Sequence, residues 1–220
     1  MPTKRQMQII NNYAVMMTEA KLRLECIKAA ASGIITILPP PALRELCFVQ
    51  LRMLCELIAL GCLVAHGDIP ATHTKKLQRE WSPDRILLEL EKLHPYFYPQ
   101  PSRDGPLIDG VHRNFEVAHS GFLTKTELLD LYGKCGNALH RGTIRSLFTP
   151  NSRSRRDYSD ILEWRRKINN LLSLHLIALL DGSTHLICVL RASDHNNETH
   201  VAIAEAVEGP PPSSAKPGHP

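Results

Sequence analysis

The sequence predicts a mainly α fold, an antiparallel bundle of about five helices carrying a C-terminal β-hairpin. Three observations lead there. From Ile10 the apolar positions run Ala14, Met17, Ala20, Leu24, Ile27, Ala31, Ile34 and Leu38, steps of three and four that keep one face of a helix apolar. A second stretch, Ala42 to His66, is apolar nearly all round. After Thr184 the pattern changes to two β-rich runs, THLICVLRA and ETHVAIAEA, separated by the turn-forming SDHNN.

Composition agrees with a folded chain. Of 220 residues 43% are hydrophobic and 22% charged, values that argue against overall disorder. Net charge is only +4, so the chain as a whole does not announce a nucleic-acid partner. Aromatic residues, at 5%, are too sparse for a stacking platform that binds single strands.

The first helix is expected to run to the prolines at 39, 40 and 41, and Pro41 suits the first turn of the second helix, where a missing N–H costs nothing. That second helix is long enough to cross a membrane. It carries Arg52 and Glu56 one turn apart, however, and unpaired charge is costly in lipid, so it reads as the central helix of a soluble bundle with no membrane role. Ser82 and Pro83 open a third helix that ends before Pro95. The segment PYFYPQPSRDGPLIDGV reads as an irregular loop in which Asp109-Gly110 fits a hairpin turn. A further helix is expected from about Asp160 to Leu180, stopping at Gly182. The domain reading is a bundle over residues 1–182, a β-hairpin appendage over 183–207 and a disordered tail, GPPPSSAKPGHP, over 208–220.

Six cysteines, at 26, 47, 55, 62, 135 and 188, show no C-x-x-C pair and no zinc-ligand spacing with histidine. They read as reduced, buried thiols of a cytoplasmic protein, and neither metal nor cofactor is expected.

The chemistry concentrates in TKTELLDLYGKCGNALHRG, residues 124–142. Thr124 with Glu127 forms a capping box, and Gly142 is a natural helix stop. On a helical wheel Leu129, Tyr132, Gly133, Gly136, Asn137 and His140 share one face, opposite Leu128, Leu131, Cys135 and Ala138. Glu127, Asp130, Lys134 and Arg141 form a charged strip between them. Each helix-interior glycine costs about 1 kcal/mol against alanine, so close approach of a helix or ligand is expected on that face. His140 should point into the same junction, where an imidazole can act as acid, base or phosphate contact. Arg52, Glu56, Tyr132 and Asn137 are the polar groups expected around it. His175 falls on the apolar stripe of Ile161, Ile168, Leu171 and Leu172 and reads as a hydrogen-bonded core histidine.

Downstream the chain turns basic. Between residues 141 and 167, eight cations stand against three acids, a net of +5. Arg141, Arg145, Arg153, Arg155, Arg156, Arg165 and Arg166 are the candidate phosphate contacts, a salt-sensitive mode that reads no sequence.

The order of LRMLCELIALG, with Arg52 and Glu56, followed by ELLDLYGKCGNALHRG resembles helical proteins of the HEPN superfamily (higher eukaryotes and prokaryotes nucleotide-binding), across roughly residues 42–181. The resemblance implies a metal-independent endoribonuclease of a toxin–antitoxin or phage-defence system, working as a homodimer on RNA. The family signature is an arginine, four to six residues, then a histidine. Before His140 that spacing holds no arginine: Lys134 has five residues between it and His140 but lies on the charged strip, and Arg141 is adjacent. A general base and a cation for the phosphorane charge are what the chemistry needs. The competing expectation is a non-enzymatic antitoxin, adaptor or scaffold that meets a protein partner through the C-terminal hairpin.

Overall fold

A computed structural model describes residues 2–35, 37–108, 112–140 and 157–206. Helix α1, Lys4–Ala31, starts on a capping box in which Thr3 and Gln6 exchange side-chain and backbone bonds. It buries Ile9, Tyr13, Met17, Ala20, Leu24, Ile27 and Ala30. The helix ends before the expected proline stop because Gly33, at φ +76°, turns the chain out of the helical region. Ile34 and Leu38, assigned by spacing to the core stripe, are therefore exposed.

Helix α2, Pro40–Ala65, returns antiparallel to α1: Gly61 lies against Tyr13 and Met17, and Gly67 against Ile9. It is the one helix among the described residues long and apolar enough to cross a membrane, yet it is packed against α1, α3 (Pro83–Leu93) and α4 (Lys125–Leu139). Twelve of its residues, from Leu43 to Ala65, are buried. Helix α5, Ser159–Leu172, closes the helical layer against α1.

The larger departure from the sequence reading is a five-stranded antiparallel sheet, ordered β2-β1-β3-β4-β5. The fold is mixed, helices plus a sheet, rather than a helical bundle with an appended hairpin. The expected β4–β5 hairpin is present as Thr184–Ala192 and Glu198–Glu205, with Asn196 and Asn197 in the left-handed turn conformation that asparagine tolerates. Leu174–Ala178, read as the end of a helix, is strand β3. His175 suits both a 3.6-residue stripe and a two-residue alternation, and pairing with β1 and β4 decides for the strand. The proline-punctuated loop contains β1, Gln100–Ile108, and β2, His112–Val117. Pro101 fits because it enters at the start of β1, and a Cβ on Gly105 would sit 3.0 Å from the Asn114 carbonyl of the paired strand. The Asp109-Gly110 turn, the Gly142 stop and the tail 208–220 lie outside the described residues.

Strand β4 alternates strictly, burying Thr184, Leu186, Cys188, Leu190 and Ala192. Leu186, Cys188 and Leu190, with Ile177 and Val201, join Tyr13, Leu24, Leu51, Leu131 and Ile168 in one hydrophobic cluster. All six cysteines are free, five of them buried within this packing. Burial pushes the Cys47 thiol up to about 11 and Cys135 to about 12, so both stay protonated and unreactive at neutral pH.

Candidate functional site at the α2–α4 junction

Thr124 and Glu127 cap α4 reciprocally, the Thr124 hydroxyl accepting from the Glu127 N–H at 3.2 Å and Glu127 from the Thr124 N–H at 3.1 Å. Leu128, Leu131 and Cys135 are buried, which sets the helix's rotation and brings Tyr132 and Gly136 over α2. Both wheel faces are thus visible, with Ala138 exposed at the end of the apolar one.

At this junction Arg52, Glu56 and Tyr132 close a ring of polar contacts. Arg52 Nη2 donates to the Tyr132 hydroxyl at 2.6 Å, that hydroxyl donates to Glu56 Oε1 at 3.3 Å, and Arg52 Nε lies 3.3 Å from the same oxygen. The guanidinium carbon stands 4.3 Å from the Tyr132 ring centroid, a cation–π distance. Burial, outweighing the opposing pull of Arg52, raises the Tyr132 phenol above its ordinary value, so it remains a donor to Glu56. Arg52 keeps 29% of its side-chain surface, enough for a ligand to reach it.

The remaining nitrogen is the informative one. Arg52 Nη1 has no hydrogen-bond partner among the described residues and faces Gly136, 3.5 Å from where a Cβ would stand. One turn further, the His140 N–H donates to the Gly136 carbonyl at 3.1 Å, making His140 the C-cap just past the helix's last residue, Leu139. The expectation that His140 points into a closed junction is not met: His140 and Asn137 are both exposed. α4 leaves its helical conformation at His140, so the ring is carried away from the packed face. Gly133 has open space around its Cβ position, and nothing in the structure explains a glycine there.

Lys134 does not approach this face. It pairs with Asp130 at 2.6 Å and stands 5.0 Å from the Trp164 ring centroid on α5, while Lys167, bonded to Glu127 at 2.5 Å, covers the same ring at 5.3 Å. That two-cation clamp escaped the sequence reading, although Trp164 and Lys167 are three residues apart on one helix face.

Among the candidate phosphate contacts, Arg165 donates from Nε to the Leu24 carbonyl at 2.8 Å, and Arg166 pairs with Glu163 at 2.6 Å. Arg141, Arg145, Arg153, Arg155 and Arg156 lie outside the described residues. No group of metal-ligating side chains occurs among the described residues. His175, expected in the core, is fully buried between Tyr13 and the Leu172 carbonyl. Comparison with family models, with curated proteins and with solved structures finds no match for the chain.

Proposed function

We propose that the protein is an RNA-directed, HEPN-like protein whose α2–α4 junction binds a phosphodiester. One observation supports this most: Arg52 is fixed by Glu56 and Tyr132 on two of its nitrogens, while Nη1 has no partner among the described residues and faces Gly136, one turn from His140. The helix containing His140 lacks an arginine at the family spacing, and α2 supplies one through space instead. A guanidinium held in this way loses little entropy on meeting a phosphate and offers the N–H groups of Nη1 to it.

In the catalytic version of this reading, exposed His140 accepts the proton of an RNA 2′-hydroxyl as that oxygen bonds to the adjacent phosphorus; the P–O5′ bond breaks, leaving a 2′,3′-cyclic phosphate, and the departing 5′-oxygen takes up a proton from the imidazolium or from water. Arg52 stabilises the charge on the phosphorane oxygens. The basic segment from Arg141 onward holds flanking phosphates, and a second copy of the chain completes the binding face, as the resemblance implies. A metal-free cleavage assay with chelator present, run beside a binding titration, tests this. Arg52→Ala should weaken RNA binding by about tenfold or more, the cost of one charged hydrogen bond. His140→Ala should abolish cleavage and leave binding intact. A wild-type protein that neither binds nor cuts RNA ends the proposal.

The interaction-protein reading has less support. It needs the C-terminal hairpin to be available to a partner, and the inner face of β4 and β5 packs against α1 of the same chain. What remains for a partner is the outer edge of β5.

A further inference from the structure

The chain has two tryptophans, and only one of them is used by the packing. Trp164 is covered by Lys134 and Lys167. Trp81 is 58% exposed, and among the described residues its ring meets no aromatic or cationic side chain and its indole N–H meets no acceptor. Its backbone, by contrast, is fixed. Glu80 Oε1 accepts from the N–H of Trp81 and from that of Ser82, each at 3.1 Å, and Ser82 and Pro83 then open α3. A lone exposed tryptophan is ordinary in itself. The place where this one stands gives it meaning.

The packing of α3 on α4 sets that place. Glu91, near the end of α3, pairs with Lys125 at the start of α4. Two turns back along α3 from Glu91 is Asp84, and two turns on along α4 from Lys125 is Tyr132. These two are neighbours as well: burial is the main cause of the raised Tyr132 phenol, and Asp84 is among the charges that add to it. The helices are therefore antiparallel, with the first turn of α3 beside Tyr132. From Asp84 back to Trp81 the chain spans up to about 10 Å, which brings Trp81 level with the turn of α4 from Gly136 to His140. Arg52 Nη1 faces that turn from α2. Packed helices stand about 8–10 Å apart, so the indole and the guanidinium border a gap that one nucleotide spans.

Charge differs across the gap. Arg52 supplies a cation on one side, whereas Glu80 and Asp84 flank the indole, and acids repel a phosphate. The group suited to Trp81 is flat and uncharged, which in a nucleic acid is the base. One indole holds one base, a contact that does not need the aromatic platform excluded by composition.

We propose that Trp81 is the nucleobase subsite of the α2–α4 junction: a base of single-stranded RNA stacks on its exposed indole while the neighbouring phosphate lies on Arg52. This rests on the reading of that junction as a phosphodiester site.

The test uses full-length protein carrying Trp164→Phe, which keeps a ring between Lys134 and Lys167 and leaves Trp81 as the sole tryptophan. A short single-stranded RNA and inorganic polyphosphate are the two probes. RNA should quench the Trp81 fluorescence, and polyphosphate, which has no base, should bind without quenching. Trp81→Ala should weaken RNA binding about tenfold, the usual effect of losing one stacked base, and leave the affinity for polyphosphate unchanged. Trp81→Phe should restore most of that loss, and Arg52→Ala should weaken both probes. Since Trp81 is exposed, its variants should melt with wild type. RNA that binds without quenching Trp81, or with unchanged affinity after Trp81→Ala, overturns the base subsite; the phosphodiester reading then stands or falls on Arg52→Ala alone. Equal loss of both probes in Trp81→Ala overturns the subsite too, since a stacked base cannot account for it. A protein that binds neither probe removes both readings.

Discussion

The Tyr13 hydroxyl and His175 Nε2 lie 2.7 Å apart, joining helix α1 to strand β3 in the centre of the core. The other ring nitrogen faces the Leu172 carbonyl at 3.1 Å. A carbonyl only accepts, so Nδ1 carries the proton, Nε2 accepts, and the tyrosine donates. This pair is satisfied only while the imidazole is neutral.

A pH dependence follows. Burial pushes His175 down to about 4, below its ordinary 6.5. The folded state therefore binds that proton less readily than the unfolded state, and the contribution is fully present above pH 6.5 and lost as pH falls towards 4. Its size is on the order of 3 kcal/mol. Buried His66 is shifted down by burial as well and adds in the same direction. Urea titrations between pH 7 and 4 should show a falling midpoint. His175→Gln should be less stable at pH 7 but lose less between pH 6.5 and 4; an unchanged slope would remove His175 as the cause.

Two glycines should respond oppositely to alanine. At Gly61 a Cβ would stand 3.3 Å from both Tyr13 Cε2 and Met17 Cε, and Tyr13 cannot yield because His175 holds it. Gly61→Ala should cost about 1–3 kcal/mol by overpacking the α1–α2 contact. At exposed Gly133 nothing lies within 4 Å, so Gly133→Ala should stabilise by about 0.5–1 kcal/mol through helix propensity alone. Thermal melts of both variants decide the matter. If Gly133→Ala melts lower than wild type, the space beside α4 is filled by something the chain itself does not provide.

The arginines of α5 should separate into a structural and a surface class. Arg165 is tied to the Leu24 carbonyl and lies 3.7 Å from Glu25, whereas Arg166 pairs with Glu163 on an exposed face. Arg165→Gln should lower the melting temperature by about 2–4 °C, the effect of losing about 1 kcal/mol at this size, and leave the salt dependence of RNA binding unchanged. Arg166→Gln should hardly alter stability, because exposed ion pairs contribute little. If Arg166 contacts a phosphate, the slope of affinity against salt falls by nearly one charge.

Helix positions were legible in the sequence because their signals are local. Thr124 and Glu127 announce a helix start through a contact three residues long, and Pro83 does the same for α3. The sheet was not legible for the opposite reason. β3 is five residues long and follows α5 directly, so Ile168, Leu171, Leu172 and His175 continue a helical stripe until distant pairing overrides it. β1 is hidden by Pro101 at its start and by Pro106, which falls where the pairing with β2 shifts register between Asp104 and Leu107, the kinds of position at which a strand tolerates proline. The site divides in the same way. Arg52 and Glu56 are a visible i,i+4 pair, and Tyr132 sits on the predicted face of α4. That Arg52 reaches Gly136 depends on how two helices distant in sequence are rotated against each other, which no spacing rule encodes. His140 was misplaced because the wheel was continued through a residue whose ψ of 139° has already left the helix.

The Arg52–Glu56–Tyr132 ring gives the sharpest test of the functional proposal, because its members should affect RNA binding with different signs. Tyr132→Phe keeps the ring beneath the guanidinium, 4.3 Å from its carbon, but removes the hydroxyl that accepts from Nη2 and donates to Glu56. It should cost about 1 kcal/mol of stability and weaken RNA binding modestly, since Arg52 keeps its charge and loses part of its fixation. Glu56→Gln retains shape and hydrogen bonding but removes the countercharge 3.3 Å from Arg52 Nε. If a phosphate is the ligand, that variant should bind RNA more tightly than wild type and show a steeper salt dependence, because one more positive charge is free to displace counterions. If the ring is only a clasp between α2 and α4, both variants should lower the melting temperature with no change in RNA affinity. Anisotropy titrations of a labelled single-stranded RNA at two salt concentrations, beside thermal melts, separate these outcomes. Glu56→Gln decides between them, since a purely structural ion pair gives no reason for affinity to rise when its acid is neutralised.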